Sequence, residues 1–201
     1  MLTRKMIYFV DYLLYRGEKY MQEITRDRML EIEDVTTSLL CDIDFKESPY
    51  VDIVSLVNKD GFEVVPQEMD IDTTGYLLVS EEERLITVNT VFKNPDNEFD
   101  VNFKKSRFIT AHEYGHFVLH KEEGEPIYAH RDTYHRTEQI ELEADYFARS
   151  ILMPLKTFRL YYEVLKDMSQ DENFIVEMLS KVFKVTKNKV NKRIGDLLVI
   201  G

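Results

Sequence analysis

The order of the predicted elements favours an α+β fold, in which helices flank a small antiparallel sheet. Apolar residues recur at helical spacing near both ends of the chain, whereas its middle holds short β-rich runs bounded by turn residues. The 201 residues show no fixed repeat and no Gly/Ser- or Pro-rich linker. We therefore expect a single domain over residues 1–201, made of an N-terminal helical extension (1–45), a core (46–160) and a C-terminal helical tail (161–201).

The spacing of apolar residues and the positions of helix-breaking glycines predict the helices before the sheet. Apolar residues within 6–40 recur at helical spacing, and Gly17 is expected to divide them into one or two helices. Ser48-Pro49 marks the next helix start. The short apolar helix that follows is expected to end before Gly61.

Three β-rich runs form the predicted sheet. The first run, 62–65, stops at Pro66. The second and third runs, 75–79 and 85–88, flank an acidic turn and indicate a hairpin. We expect the third run to be a short edge strand, at which an extended peptide can bind by strand addition.

The rest of the chain is predicted to be helical around one long loop. Ser106 is a favourable N-cap for a helix that runs to about Lys121. Thr137 can cap a second helix, which Pro154 ends. The tail after this proline again has helical spacing.

Composition excludes several classes of protein. The net charge is −11, from 26 basic and 37 acidic residues, and it opposes nucleic-acid binding over the whole surface. No stretch approaches the roughly 18 apolar residues needed to cross a bilayer, and the N-terminus lacks the apolar run of a secretory signal. The single cysteine, Cys41, excludes an internal disulfide and a multi-thiolate zinc site. We predict a cytoplasmic protein with no membrane partner.

The strongest chemical signal is the H-E-x-x-H sequence His112-Glu113-Tyr114-Gly115-His116. Residues four positions apart on a helix have Cβ atoms about 5–6 Å apart, so His112 and His116 can converge on one ion. Glu113 lies beside them, where it can reach the attacking water rather than the ion. Taken alone, the pattern also fits an ordinary helix with polar residues at the edge of the core.

A second helix offers the third ligand that a zinc hydrolase needs. Glu141 follows His116 by 25 residues and shares a helical face with Asp145, beside the apolar stripe. Glu141 as a ligand, with Asp145 accepting the N–H of a zinc-bound histidine, would satisfy both carboxylates. Glu143 is the competing third ligand and points about 200° around the helix from Glu141. A solvated acidic face without metal is the alternative.

Four further polar residues near these helices are candidates for supporting roles. His120 lies about 12 Å along the helix from His112, so it is expected to support the ligands or to pack rather than to share their ion. His130, Tyr134 and His135 lie in the loop between the two helices. One of them can polarise the substrate carbonyl, although a solvated loop is also consistent with the sequence.

These motifs resemble the ImmA/IrrE-like zinc metallopeptidases, which are of the H-E-x-x-H gluzincin type. Residues 107–120 match the family's Arg-Phe and Ala-His-Glu-x-Gly-His motif with its further histidine. Residues 141–148 match its Glu-x-x-Ala-Asp/Asn-x-Phe-Ala helix, and 152–154 match its Leu-Met-Pro ending. The resemblance covers about residues 48–160.

The resemblance implies a zincin-like core and a zinc-dependent endopeptidase. It implies one zinc ion per chain, bound by His112, His116 and Glu141, with Glu113 as the catalytic base. It also implies that the substrate is a specific partner protein, typically a helix-turn-helix repressor of a mobile element or stress regulon.

Two other functions remain open from the sequence. Residues 181–193 hold six basic residues and no acidic one, and Val185-Thr186 before a basic helix is weakly similar to the turn of a helix-turn-helix. This segment therefore suggests a non-catalytic regulator that binds DNA or a partner protein. The same segment also fits a solvated helix packed on the core through Val182, Phe183, Val190 and Ile194. A pseudoenzyme is the third possibility, but a scaffold would not need Glu113.

Overall fold

The computed structural model describes residues 24–45, 47–70, 72–91, 99–121, 127–129 and 138–201. These residues form an α+β fold, which confirms the predicted class. The helices are α1 (Arg26–Leu39), α2 (Ile53–Lys59), α3 (Phe99–His120), α4 (Glu138–Leu152), α5 (Leu155–Met168), α6 (Glu172–Phe183) and α7 (Lys187–Ile200). The strands are β1 (Glu63–Gln67), β2 (Gly75–Val79), β3 (Arg84–Asn89) and β4 (Ile127–Ala129). Among the described residues, none of the helices has the length and apolarity to cross a membrane.

The sheet is mixed, so the prediction of an antiparallel sheet is wrong in part. Its strand order is β1-β3-β2-β4. The predicted hairpin of β2 and β3 is confirmed and β4 also pairs antiparallel with β2, but β1 runs parallel to β3. The chain between β1 and β2 crosses the end of β3, where the buried Asn89 amide donates to the carbonyls of Met69, Asp70 and Thr73. This long-range anchor is absent from the local pattern that predicted the strands.

The predicted edge strand lies inside the sheet. β3 has β1 on one side and β2 on the other, so its backbone groups already have partners. The expectation that residues 85–88 bind a peptide by strand addition is therefore wrong. Within the part of the chain that the structure describes, the outer strands of this sheet are β1 and β4.

Helix α3 begins at Phe99, seven residues before the predicted cap. Ser106 is therefore inside the helix, and its carbonyl accepts a hydrogen bond from the Thr110 hydroxyl at 3.0 Å. The added turns are stabilised by Lys104, whose ammonium lies 2.7 Å from Asp100 and 3.4 Å from the Ser180 hydroxyl on α6. The contact with α6 comes from the tertiary fold, so the local cap signal at Ser106 could not show it.

Other boundaries agree closely with the sequence. The short helix before Gly61 is confirmed as α2, although Asp52 caps it instead of Ser48. The predicted second helix is α4, which ends at Leu152. Only Met153 separates this end from Pro154, as expected for a proline that ends a helix. Residues 1–23, including the expected break at Gly17, lie outside the described residues.

The core forms where α3 packs against α4 on one side and against β2 and β3 on the other. The two helices approach closely at Gly115, because a Cβ atom there would lie 2.9 Å from the Phe147 ring. Phe147 is completely buried. This close approach sets the separation of the helices that carry the candidate ligands.

A buried ionic network joins α1, α4 and α7. The Arg193 guanidinium, which is 0% exposed, donates to both carboxylate oxygens of Glu33 at 2.6 and 3.1 Å. The Tyr146 hydroxyl donates to the same carboxylate at 2.7 Å. Nearby, Arg149 donates to both oxygens of Asp196. The helices on either side of the core are therefore fixed to α4 by charged groups as well as by apolar packing.

Candidate functional site

The structure brings together three predicted residues from two helices. His112 and His116 lie one turn apart on α3, and their Nε2 atoms are 3.1 Å apart. Glu141, in the first turn of α4, places one carboxylate oxygen 3.2 Å from Nε2 of His112 and the other 3.4 Å from Nε2 of His116. Three potential ligand atoms thus face one point between α3 and α4.

The donor set and its spacing fit a zinc-sized ion. Ligands that bind a tetrahedral zinc ion at about 2.0–2.1 Å lie roughly 3.3 Å from one another. The two histidine nitrogens are 3.1 Å apart, close to that value, and each of them has a different carboxylate oxygen of Glu141 at 3.2 or 3.4 Å. Two imidazoles and one carboxylate leave a fourth position for a reactant, as in catalytic zinc sites. Among the described residues, His112, His116 and Glu141 form the group able to hold a metal ion.

Asp145 lies behind His112, one turn after Glu141. Its Oδ1 atom is 3.2 Å from Nδ1 of His112. This contact favours the tautomer with the proton on Nδ1 and leaves Nε2 facing Glu141 and His116. Burial raises the pKa of Asp145, but the hydrogen bond from His112 and the charge of Lys189 outweigh it and lower the pKa overall. Asp145 is therefore ionised at neutral pH.

Glu113 is buried between α3 and the start of β2. It is 2% exposed, and its Oε1 atom would lie 3.7 Å from a Cβ atom at Gly75. The same Cβ atom would lie 2.6 Å from the Ile109 side chain, so only glycine lets β2 approach α3 this closely. The negative charge of Glu113 raises the pKa of His112. Glu113 therefore lies near the metal-ligand group without being a member of it.

Glu143 is directed to other partners. Its carboxylate accepts hydrogen bonds from Arg28 of α1 at 2.7 and 3.0 Å, and its Oε2 atom lies 3.2 Å from Nε2 of His120. Burial raises the pKa of Glu143, but the hydrogen bonds from Arg28, Gln139 and His120 lower it overall. The structure thus places Glu141, rather than Glu143, beside the two histidines.

His120 lies next to the site rather than in it. Its ring centroid is 5.6 Å from that of His116, and its hydrogen bond goes to Glu143. The other supporting candidates, His130, Tyr134 and His135, lie outside the described residues.

Sequence reasoning missed two cations near the site. Lys189 of α7 lies 3.3 Å from Oδ2 of Asp145, and Arg28 of α1 binds Glu143. Sequence separations of 44 and 115 residues give these pairs no local spacing signal. In the sequence, Lys189 is part of the basic segment 181–193, which suggests nucleic-acid binding.

Comparison with known families identifies the class of protein. Residues 104–195 match the family model of peptidase M78, described as the IrrE N-terminal-like domain, so the chain carries a peptidase-family domain. This match confirms the resemblance of the segment to the ImmA/IrrE-like family that the motifs indicate. The match includes His112, His116 and Glu141, and it reaches into α7. No curated protein matches the chain.

Proposed function

We propose that the protein is a zinc-dependent endopeptidase with a zincin-like core. The observation that carries this proposal is the convergence of His112, His116 and Glu141, whose potential ligand atoms all lie within 4.8 Å of one another. The peptidase family of residues 104–195 supports it independently. The proposed substrate is a specific partner protein in the cytoplasm, namely a helix-turn-helix repressor of a mobile element or stress regulon. The division of the chain at residues 46 and 160 stays a prediction.

The mechanism assigns separate roles to the buried side chains. His112, His116 and Glu141 would hold the ion, and Asp145 orients His112. When bound, zinc polarises the scissile carbonyl and lowers the pKa of a water molecule toward about 7. Glu113 would accept a proton from the attacking water as the water oxygen bonds to the carbonyl carbon. It then delivers the proton to the leaving amine as the carbon–nitrogen bond breaks.

The C-terminal basic segment gives less support to a DNA-binding regulator. Three of its apolar residues are buried in the core: Phe183, Val185 and Val190. Val182, and Ile194 directly after the segment, are partly buried against it. Arg193 binds Glu33, and Lys189 and Lys192 face Asp145. Its remaining cations also have partners within the protein. Lys181 and Lys187 pair with Glu177, and Lys184 lies over the Tyr50 ring. DNA phosphates would therefore have to compete with internal contacts for each of these groups.

The function is tested by co-expression with candidate helix-turn-helix repressors, followed by mass spectrometry of the fragments. We expect defined repressor fragments with the wild-type protein. We expect none when both His112 and His116 are replaced by alanine. Fragments that form equally with this double variant would assign the cleavage to another protease. A gel-shift assay at two salt concentrations tests the alternative, since specific DNA binding with a salt-dependent affinity would favour the regulator.

We expect the affinity for zinc to increase with pH. Burial lowers the pKa of His112, but hydrogen bonds with Asp145 and Glu141 and the charge of Glu113 outweigh it, raising the pKa to about 9. Below this pH a proton on His112 competes with the ion, so affinity should increase by up to about tenfold per pH unit until pH 9. Chelator competition between pH 7 and pH 9 measures this change. A dissociation constant that stays level over that interval would contradict the assignment of His112.

A further inference from the structure

Lys189 links the C-terminal helix to the candidate metal centre. Its ammonium nitrogen lies 3.3 Å from Oδ2 and 3.5 Å from Oδ1 of Asp145. Oδ1 of the same carboxylate lies 3.2 Å from Nδ1 of His112. A continuous series of polar contacts therefore runs from α7 through α4 to a proposed zinc ligand on α3.

Lys189 is held in this position by its surroundings. Its ammonium lies 3.5 Å from the centroid of the Phe108 ring, on α3 one turn before His112, in a cation–π contact. Its side chain is 20% exposed, whereas that of Lys192, which lies 3.8 Å from Asp145, is 52% exposed. Arg149 donates to the Asp145 backbone carbonyl and leaves the carboxylate to these lysines and His112. Lys189 is thus the nearer and more buried of the two ammonium groups on Asp145.

We propose that Lys189 is a positioning residue for the metal centre. It holds the Asp145 carboxylate in place against Nδ1 of His112, and this contact directs Nε2 of that histidine toward the ion. This inference rests on the proposed function, because it assumes that His112 binds the metal. It explains why a cation in a basic segment faces the peptidase site, and it makes α7 part of that site.

The test is the dissociation constant for zinc, measured by chelator competition on the full chain. Lys189→Met keeps an unbranched side chain over Phe108 but removes the charge. Loss of groups that orient metal ligands typically weakens binding 10–100-fold. We expect about tenfold weaker binding in Lys189→Met and near wild-type binding in Lys189→Arg. The matched control is Lys181→Met, which removes an exposed lysine paired with Glu177 and should leave zinc binding unchanged.

A double-mutant cycle separates positioning from a general structural effect. In an Asp145→Asn background, Lys189→Met should cause no further loss of zinc affinity, because the carboxylate that it orients is gone. An equal loss in both backgrounds would overturn the proposal. Lys189→Gln, which is also uncharged, provides the same comparison if Lys189→Met fails to fold.

The failure of this inference is distinguishable from failure of the proposed function. Wild-type protein that binds no zinc would overturn both. Wild-type protein that binds zinc, with the same affinity in a folded Lys189→Met variant, would overturn the role of Lys189 alone.

Discussion

We expect Glu113→Gln to abolish proteolysis while the protein stays folded and binds zinc. Glutamine keeps the size of the buried side chain but cannot accept a proton from water. Removal of a general base typically slows a reaction 10²–10⁴-fold, and here the same group also delivers the proton to the leaving amine. Because Glu113 lies outside the group of potential metal ligands, its replacement should leave the ion in place.

The measurement is repressor cleavage by purified, zinc-loaded protein, with zinc content determined on the same sample. Glu163→Gln is the matched control, since this glutamate is exposed on α5. The Glu163→Gln protein should cleave the repressor at the wild-type rate. The Glu113→Gln protein should also bind the uncut partner and trap the complex. Cleavage near the wild-type rate by zinc-loaded Glu113→Gln would contradict the role of Glu113 as the catalytic base.

We expect Arg193→Met to destabilise the protein by about 3–5 kcal/mol, the usual cost of removing one partner of a buried ion pair. Arg193 is completely buried and donates to both oxygens of Glu33. Its loss leaves the Glu33 carboxylate with the Tyr146 hydroxyl but without its nearest cation. Because stabilities of whole domains are about 5–15 kcal/mol, this loss is large.

Urea unfolding measures the change. Lys166→Met is the control, because Lys166 forms a long, exposed pair with Glu163 and should change stability by less than about 1 kcal/mol. Replacing both Glu33 and Arg193 by methionine should cost less than Arg193→Met alone, since no uncompensated charge remains. A loss below about 1 kcal/mol in Arg193→Met would contradict the role of this network.

The candidate site was predictable because two local patterns define it. The four-residue spacing of His112 and His116 fixes one helical face, and the same spacing puts Glu141 and Asp145 on another. What the sequence left open was which carboxylate turns toward the histidines. The structure resolves it through Arg28, which binds Glu143 from a helix distant in sequence.

The features that sequence reasoning missed depend on contacts between distant segments. β1 pairs with β3 and the chain before β2 is anchored on Asn89, and no alternation of residues encodes either contact. Lys189 belongs to a run of basic residues, a pattern typical of nucleic-acid binding, yet α7 packs it against Asp145 and Phe108. The acidic partners of a basic run are known only when the fold shows which carboxylates lie beside it.

Metal analysis of purified variants tests the central claim most directly, namely that His112, His116 and Glu141 bind one catalytic zinc ion. We expect about one zinc ion per chain in the wild-type protein and in Glu143→Gln. We expect a large loss of zinc in Glu141→Gln and none bound in the His112→Ala/His116→Ala double variant. Stoichiometric zinc in that double variant, or loss in Glu143→Gln with retention in Glu141→Gln, would contradict the assignment.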